Sequence, residues 1–184
     1  CRWAQPAVEA VLELKLKHKF KHNEIKCISI KTFHEAKRLK LKHPKTTEEA
    51  QYSLPHPVAA ALILGNIGVN EVSLETLNNS DIALLREKIE IKENKDFNNA
   101  FPHRRFAQAE IKLKNDNTFI SKPTEAKGDP ENPLTDKDIK NKFERFTFDS
   151  LGSKRAIELY NSIIELETHK TINRFLSLID KPLE

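Results

Sequence analysis

The sequence predicts an α+β domain, a two-layer sandwich in which an antiparallel sheet of about four strands carries helices mainly on one face. Three observations predict it. Across the middle of the chain, Ala107, Ala109, Ile111 and Leu113 alternate with Gln108, Glu110, Lys112 and Lys114, the period of a strand with one apolar face. On either side of that region, apolar residues recur at spacings of three and four, the period of amphipathic helices. Between them, Val58 to Leu64 contains no polar side chain at all. Seven such residues are too few to cross a membrane, so they predict a helix buried on nearly every side.

The elements follow in order. Val8, Val11, Leu12, Leu14 and Leu16, after Pro6, predict an amphipathic helix within residues 2–21 that ends in lysines. Residues 24–33 read as a strand, with Ile28 and Ile30 on one face and Cys27, Ser29 and Lys31 on the other. Residues 34–41 are short and charged, a helical turn closed by His43-Pro44. The buried helix comes next. Ser53 is placed to cap its first turn, prolines are tolerated there, and Gly65-Asn66 supplies the stop. Residues 79–88 predict a further helix with Ile82, Leu84 and Leu85 inward.

Ile89 and Ile91 then open a strand near 88–93, followed by strands near 105–114 and 117–123. Asn115-Asp116-Asn117 turns the last two into a hairpin, because these residues tolerate positive φ. Beyond the loop Lys127-Gly-Asp-Pro-Glu-Asn-Pro-Leu134, Thr135 and Asp138 have the spacing of a capping box. Helical stripes through Ile139, Phe143 and Phe146, through Ile157, Tyr160 and Ile164, and through Ile172, Phe175, Leu176 and Ile179 close the chain.

At 184 residues the whole chain is expected to be a single domain. Methionine is absent, even at position 1, so a chain cut from a longer one, or processed, is expected. No run reaches transmembrane length and no signal peptide opens the sequence, which points to a cytoplasmic protein. Cys1 and Cys27 fit no metal spacing and make no disulfide framework. The net charge of +4 hides an asymmetry: residues 13–45 hold eleven Lys or Arg against three Glu, and the rest holds twenty against twenty-four acids. Such a tract can attract anions or nucleic acid. With only Phe20 and Phe33 inside it there is little to stack on bases, so nucleic acid is not the expected partner.

Read from residue types alone, the first turn of the buried helix is where a site would lie, because His56 sits there. The competing reading is a core histidine that satisfies a buried polar contact.

Three segments in this order resemble one family: CRWAQPAVEA, then EAQYSLPHPVAAALILG, then KGDPENPLTDKDIKNKF. They are similar to the carboxy-terminal half of the MmgE/PrpD family, which includes 2-methylcitrate dehydratases, cis-aconitate decarboxylases and an iminodisuccinate epimerase. The resemblance implies a smaller α+β domain that follows a large, all-helical amino-terminal domain. It further implies lyase chemistry on small polycarboxylic acids, in which a base removes a proton beside a carboxylate and water or carbon dioxide departs. Neither a metal nor an organic cofactor is implied. The implied partners are the helical domain, which supplies most of the acid-base residues across an interdomain site, and a second copy in a homodimer.

The resemblance also assigns roles residue by residue. Cys1 and Arg2 match the family's Cys-Arg-aromatic motif and, with Gln5 and Lys127, are implied substrate-binding residues. Arg2 is the natural carboxylate partner, since a guanidinium forms two parallel bonds to it. Gln5 stands where the family often has a histidine and cannot titrate. His56, the implied catalytic position, stands where many members place a tyrosine; both can donate to a substrate oxygen. Lys127 and Asp129 are also placed to orient their loop. The reaction, whether dehydration, decarboxylation or epimerisation, is left open, and so is a free-standing binding or scaffold domain without catalysis.

Overall fold

Ile25, Ile28 and Ile30 are buried while Lys26 and Cys27 are exposed, so the first strand, β1 (Ile25–Thr32), presents one apolar face. It follows α1 (Gln5–His18), which Pro6 opens and which Lys19 closes with a left-handed residue. The computed structural model describes residues 1–182, in two compact units: Cys1–Lys127, and a second that begins at Gly128.

In the first unit the chain leaves β1 for a run of helices. These are α2 (His34–Lys37), α3 (Thr47–Gln51), α4 (Pro55–Leu64), α5 (Leu74–Leu77) and α6 (Ser80–Glu87). It returns to the sheet as β2 (Ile89–Glu93). After α7 (Lys95–Ala100) come β3 (Phe106–Leu113), β4 (Thr118–Ile120) and the two-residue β5 (Thr124–Glu125). The strand order is β2-β1-β3-β4, with β5 also on β3.

The expected sheet is present with a short fifth strand, β5, added and one strand reversed. β3 runs antiparallel to β1, β4 and β5, but β2 runs parallel to β1, with Ile28 beside Ile89 and Ile30 beside Ile91. The reason is the connection: a long helical crossover between β1 and β2 brings the chain back to the end at which β1 began, whereas a short turn would have reversed it. Alternation along β2 sets which side chains face inward, and it says nothing about strand direction.

Ala107, Ala109, Ile111 and Leu113 of β3 are buried as expected, and α1 packs on β3. The β3–β4 turn holds Asp116 at φ 66°, the conformation that the Asn-Asp-Asn signal predicts. Helix α4 lies between α1 and α6. Val58 to Leu62 are buried, and the helix surfaces only at Ile63 and Leu64, before Gly65 ends it at φ 90°. Burial of these aliphatic side chains, at roughly 25 cal/mol per Å² of apolar surface, is the main term holding the unit together. Leu84, predicted inward, faces solvent at 65% exposure, and Leu16 of the first helical pattern is 81% exposed. Single apolar side chains at a surface are ordinary.

In the second unit the loop after Gly128 is closed by Gly128 N–H to Asn132 O, 2.7 Å, and Asn132 N–H to Asp129 O, 2.9 Å. Thr135 and Asp138 form the expected capping box on α8 (Asp136–Leu151). Gly152 separates it from α9 (Ser153–Ile164), and α10 (Asn173–Asp180) follows. Arg155 fastens the end of α10 to α9 by donating to the carbonyl of Leu178 at 2.7 Å. Phe143 and Tyr160 join α8 to α9, with ring centroids 5.4 Å apart. Along the predicted stripes, Ile139, Phe146, Ile157, Ile164, Ile172, Leu176 and Ile179 are all exposed.

Candidate functional site

Two groups of side chains answer to the sequence-based site residues. The first is built at the start of α1. Trp3 packs edge-on against Phe33 and Phe101, at 6.2 and 6.1 Å between ring centroids, and those two rings stack at 4.8 Å. That aromatic trio anchors the chain start, and Arg2 projects beside it. Arg2 Nη1 donates to Gln5 Oε1 at 2.6 Å and to the carbonyl of Lys127 at 3.1 Å. Residues 125 positions apart in sequence are thereby joined.

The end of the sheet explains why Lys127 arrives there. β5 pairs with β3, and Arg104 grips Glu125 through Nε, 2.7 Å from Oε1, with a second contact from Nη2 to Oε2. Lys127 contributes its backbone to Arg2 while its side chain is exposed. Arg2, Gln5 and Lys127 are therefore brought together, with Cys1 exposed alongside Arg2. These two hydrogen bonds from Nη1 fix the guanidinium at this corner, and a guanidinium is the side chain best shaped for a carboxylate.

The second group surrounds His56, in the first turn of α4. Ser53 Oγ accepts from the His56 backbone N–H at 3.0 Å, the capping role that the sequence predicts, and donates to Leu41 O at 2.6 Å. The imidazole is fully buried. Its Nε2 lies 2.9 Å from the carbonyl of Glu71, in the 3₁₀ turn Asn70–Val72, and its Nδ1 lies 3.3 Å from Arg86 Nη1 on α6. A carbonyl only accepts and a guanidinium only donates, so the proton sits on Nε2 and Nδ1 is the acceptor. Burial, first, and the Arg86 charge, second, hold the ring below its ordinary pKa, while the Glu71 carbonyl pulls the other way. The ring is neutral, and its one N–H goes to Glu71.

Arg86 is the member of this group that reading the sequence missed. It is 4% exposed, and Nη2 reaches the carbonyl of Leu77 at 3.4 Å. The signal was present: Ile82, Leu85, Arg86 and Ile89 are all buried at the spacing i, i+3, i+4, i+7, with Leu84 off that stripe. A charged residue on an apolar stripe is easily assigned to solvent, since arginine is seldom buried. Among the described residues no cluster of three or more His, Cys, Asp or Glu is placed to hold a metal ion. Nor is any described helix long and apolar enough to cross a membrane.

The comparison with known families decides what these groups belong to. The MmgE/PrpD C-terminal domain matches residues 1–166. The chain belongs to the MmgE/PrpD family. That match takes in both the Arg2 corner and the His56 group, and it runs through the Gly128 loop to the end of α9. No curated protein matches the chain.

Proposed function

We propose that this MmgE/PrpD domain forms one wall of the active site of a lyase for small polycarboxylic acids, of the 2-methylcitrate dehydratase kind. The helical domain of the same enzyme supplies the opposite wall. The observation that carries this reading is the gathering of Arg2, Gln5 and Lys127 at one corner: an oriented guanidinium is what a carboxylate requires. Arg2 binds a carboxylate, Gln5 and the Lys127 carbonyl hold it in place, and Cys1 and the Lys127 side chain border the corner.

His56 offers an uncharged N–H donor in this scheme. A neutral imidazole polarises a substrate oxygen without adding a second positive charge, a role known for histidines at helix N-termini. It meets the substrate when the Glu71 carbonyl gives up that N–H. Proton abstraction beside the carboxylate belongs to the helical domain, because neither Gln5 nor a histidine held neutral by burial makes a strong base here.

The test is reconstitution. Alone, the chain is expected to turn over none of 2-methylcitrate, citrate or cis-aconitate, and adding a matching helical domain restores activity to the pair. Turnover that is equal with and without the helical domain would overturn the proposal.

A further inference from the structure

Arg86 carries a buried charge that the scheme above leaves unused. Its guanidinium makes two long hydrogen bonds, 3.3 Å to His56 Nδ1 and 3.4 Å to Leu77 O, and both acceptors are uncharged. Nε is buried and has no hydrogen-bond partner. Among the described residues Arg86 forms no ion pair; the Glu87 carboxylate acts on it only through space and is itself ion-paired with Lys42 and His43. Buried guanidinium groups are ordinarily matched by a carboxylate, most often through two parallel bonds. Here the Nε and Nη2 edge, the geometry a carboxylate fits, holds one weak bond to a carbonyl and nothing else.

The connection from Gly65 to Asn79 reaches that edge through the Leu77 carbonyl. Between those residues it contains only the turn Asn70–Val72 and the four-residue α5. Apart from the helix-end bonds of Gly65 and Asn79, the hydrogen bonds that tie it to α4 and α6 include the Glu71 carbonyl on His56 and the Leu77 carbonyl on Arg86. Both bonds use donors that an anion would satisfy better, since hydrogen bonds to ionised acceptors are about twice as strong as neutral ones.

We propose that the Nε–Nη2 edge of Arg86 binds one carboxylate of a small polycarboxylic acid, which displaces the Leu77 carbonyl, with His56 Nε2–H donating to the same ligand in place of the Glu71 carbonyl. The proposal rests on the polycarboxylate reading given above. It adds a second arginine to the binding residues and makes the segment between Gly65 and Asn79 the part of the domain that yields to the ligand.

The probe is tricarballylate, a tricarboxylate with no hydroxyl to lose, added to the full chain at constant ionic strength. Its binding is followed by calorimetry and by the NMR signals of arginine Nε–H groups. The Arg86 signal, assigned through bonds, should move saturably with tricarballylate and stay in place when chloride replaces it. Arg86→Lys keeps the charge but loses the fork, and affinity should fall about tenfold or more. Binding with an unmoved Arg86 signal, or with equal affinity in Arg86→Lys, would overturn the role of Arg86 and leave the polycarboxylate reading standing. Absence of tricarballylate binding to the wild-type chain would overturn the Arg86 site, while the reconstitution test above decides the polycarboxylate reading separately. Should the lysine variant fail to fold, the wild-type Arg86 signal decides alone.

Discussion

Arg86 Nη1 points at His56 Nδ1 across 3.3 Å, so two residues thirty positions apart in sequence fix each other's chemistry. The guanidinium can only donate, which leaves the imidazole proton on Nε2. The imidazole, to accept, must be neutral. Protonating it would turn an acceptor into a donor facing a cation inside the core.

Stability should therefore depend on pH through His56. Its folded pKa lies below the ordinary histidine value of about 6.5, so between the two values the unfolded chain binds more protons than the folded one. Stability then rises with pH across that window. It is fully present above about 6.5 and is lost as pH falls from there through the depressed folded value. Denaturant midpoints at pH 7.5 and at successively lower pH, for wild type and His56→Gln, isolate the effect. The wild type should lose more than the variant; parallel curves would show that His56 does not titrate as described.

Ser53 holds the same turn from below. Replacing it with alanine removes the acceptor for the His56 N–H and the donor to Leu41 O. A lost cap of this kind costs about 1–2 kcal/mol. Equilibrium unfolding in urea measures it, and an unchanged midpoint would contradict the capping role.

At the other end of α4, Gly65 sits at φ 90° with open space where a Cβ would lie. The cost of Gly65→Ala is conformational alone, about 1 kcal/mol. A Gly65→Ala protein as stable as wild type would mean that the helix end adapts freely.

Glu125 acts at a distance from the substrate corner. Its ion pair with Arg104 steadies the segment that brings Lys127 O to Arg2. In the reconstituted two-domain enzyme, Glu125→Gln should raise KM several-fold with little change in kcat, because it loosens a binding residue and touches no reacting atom. A fall in kcat at constant KM would place Glu125 in the chemistry instead.

Much of this architecture is local and was legible as such. Ser53, Gly65, Asp116 and the Thr135–Asp138 box each act within four residues of themselves, so their chemistry shows in a short window of sequence. The inward faces of β1, β2 and β3 were legible for the same reason. The parallel course of β2 was not, because it depends on where a long helical crossover delivers the chain. His56 was legible as lying in the first turn of a buried helix. Its partners were not: one is a backbone carbonyl, which carries no side-chain signature, and the other is an arginine where an aliphatic residue is expected. Arg2 and Gln5 were noticed only through family resemblance, and their meeting with Lys127 depends on β5, two residues too short to signal a strand.

The most direct measurement compares substitutions of His56 in the reconstituted pair with the helical domain. Glutamine retains an N–H near the position of Nε2, whereas alanine removes it. His56→Gln should keep activity within about threefold of wild type, and His56→Ala should lose about tenfold or more in kcat/KM, the scale of one hydrogen bond to a charged group. An alanine variant that is folded and as active as wild type would contradict the account, and would leave His56 a core residue that serves only Glu71 and Arg86.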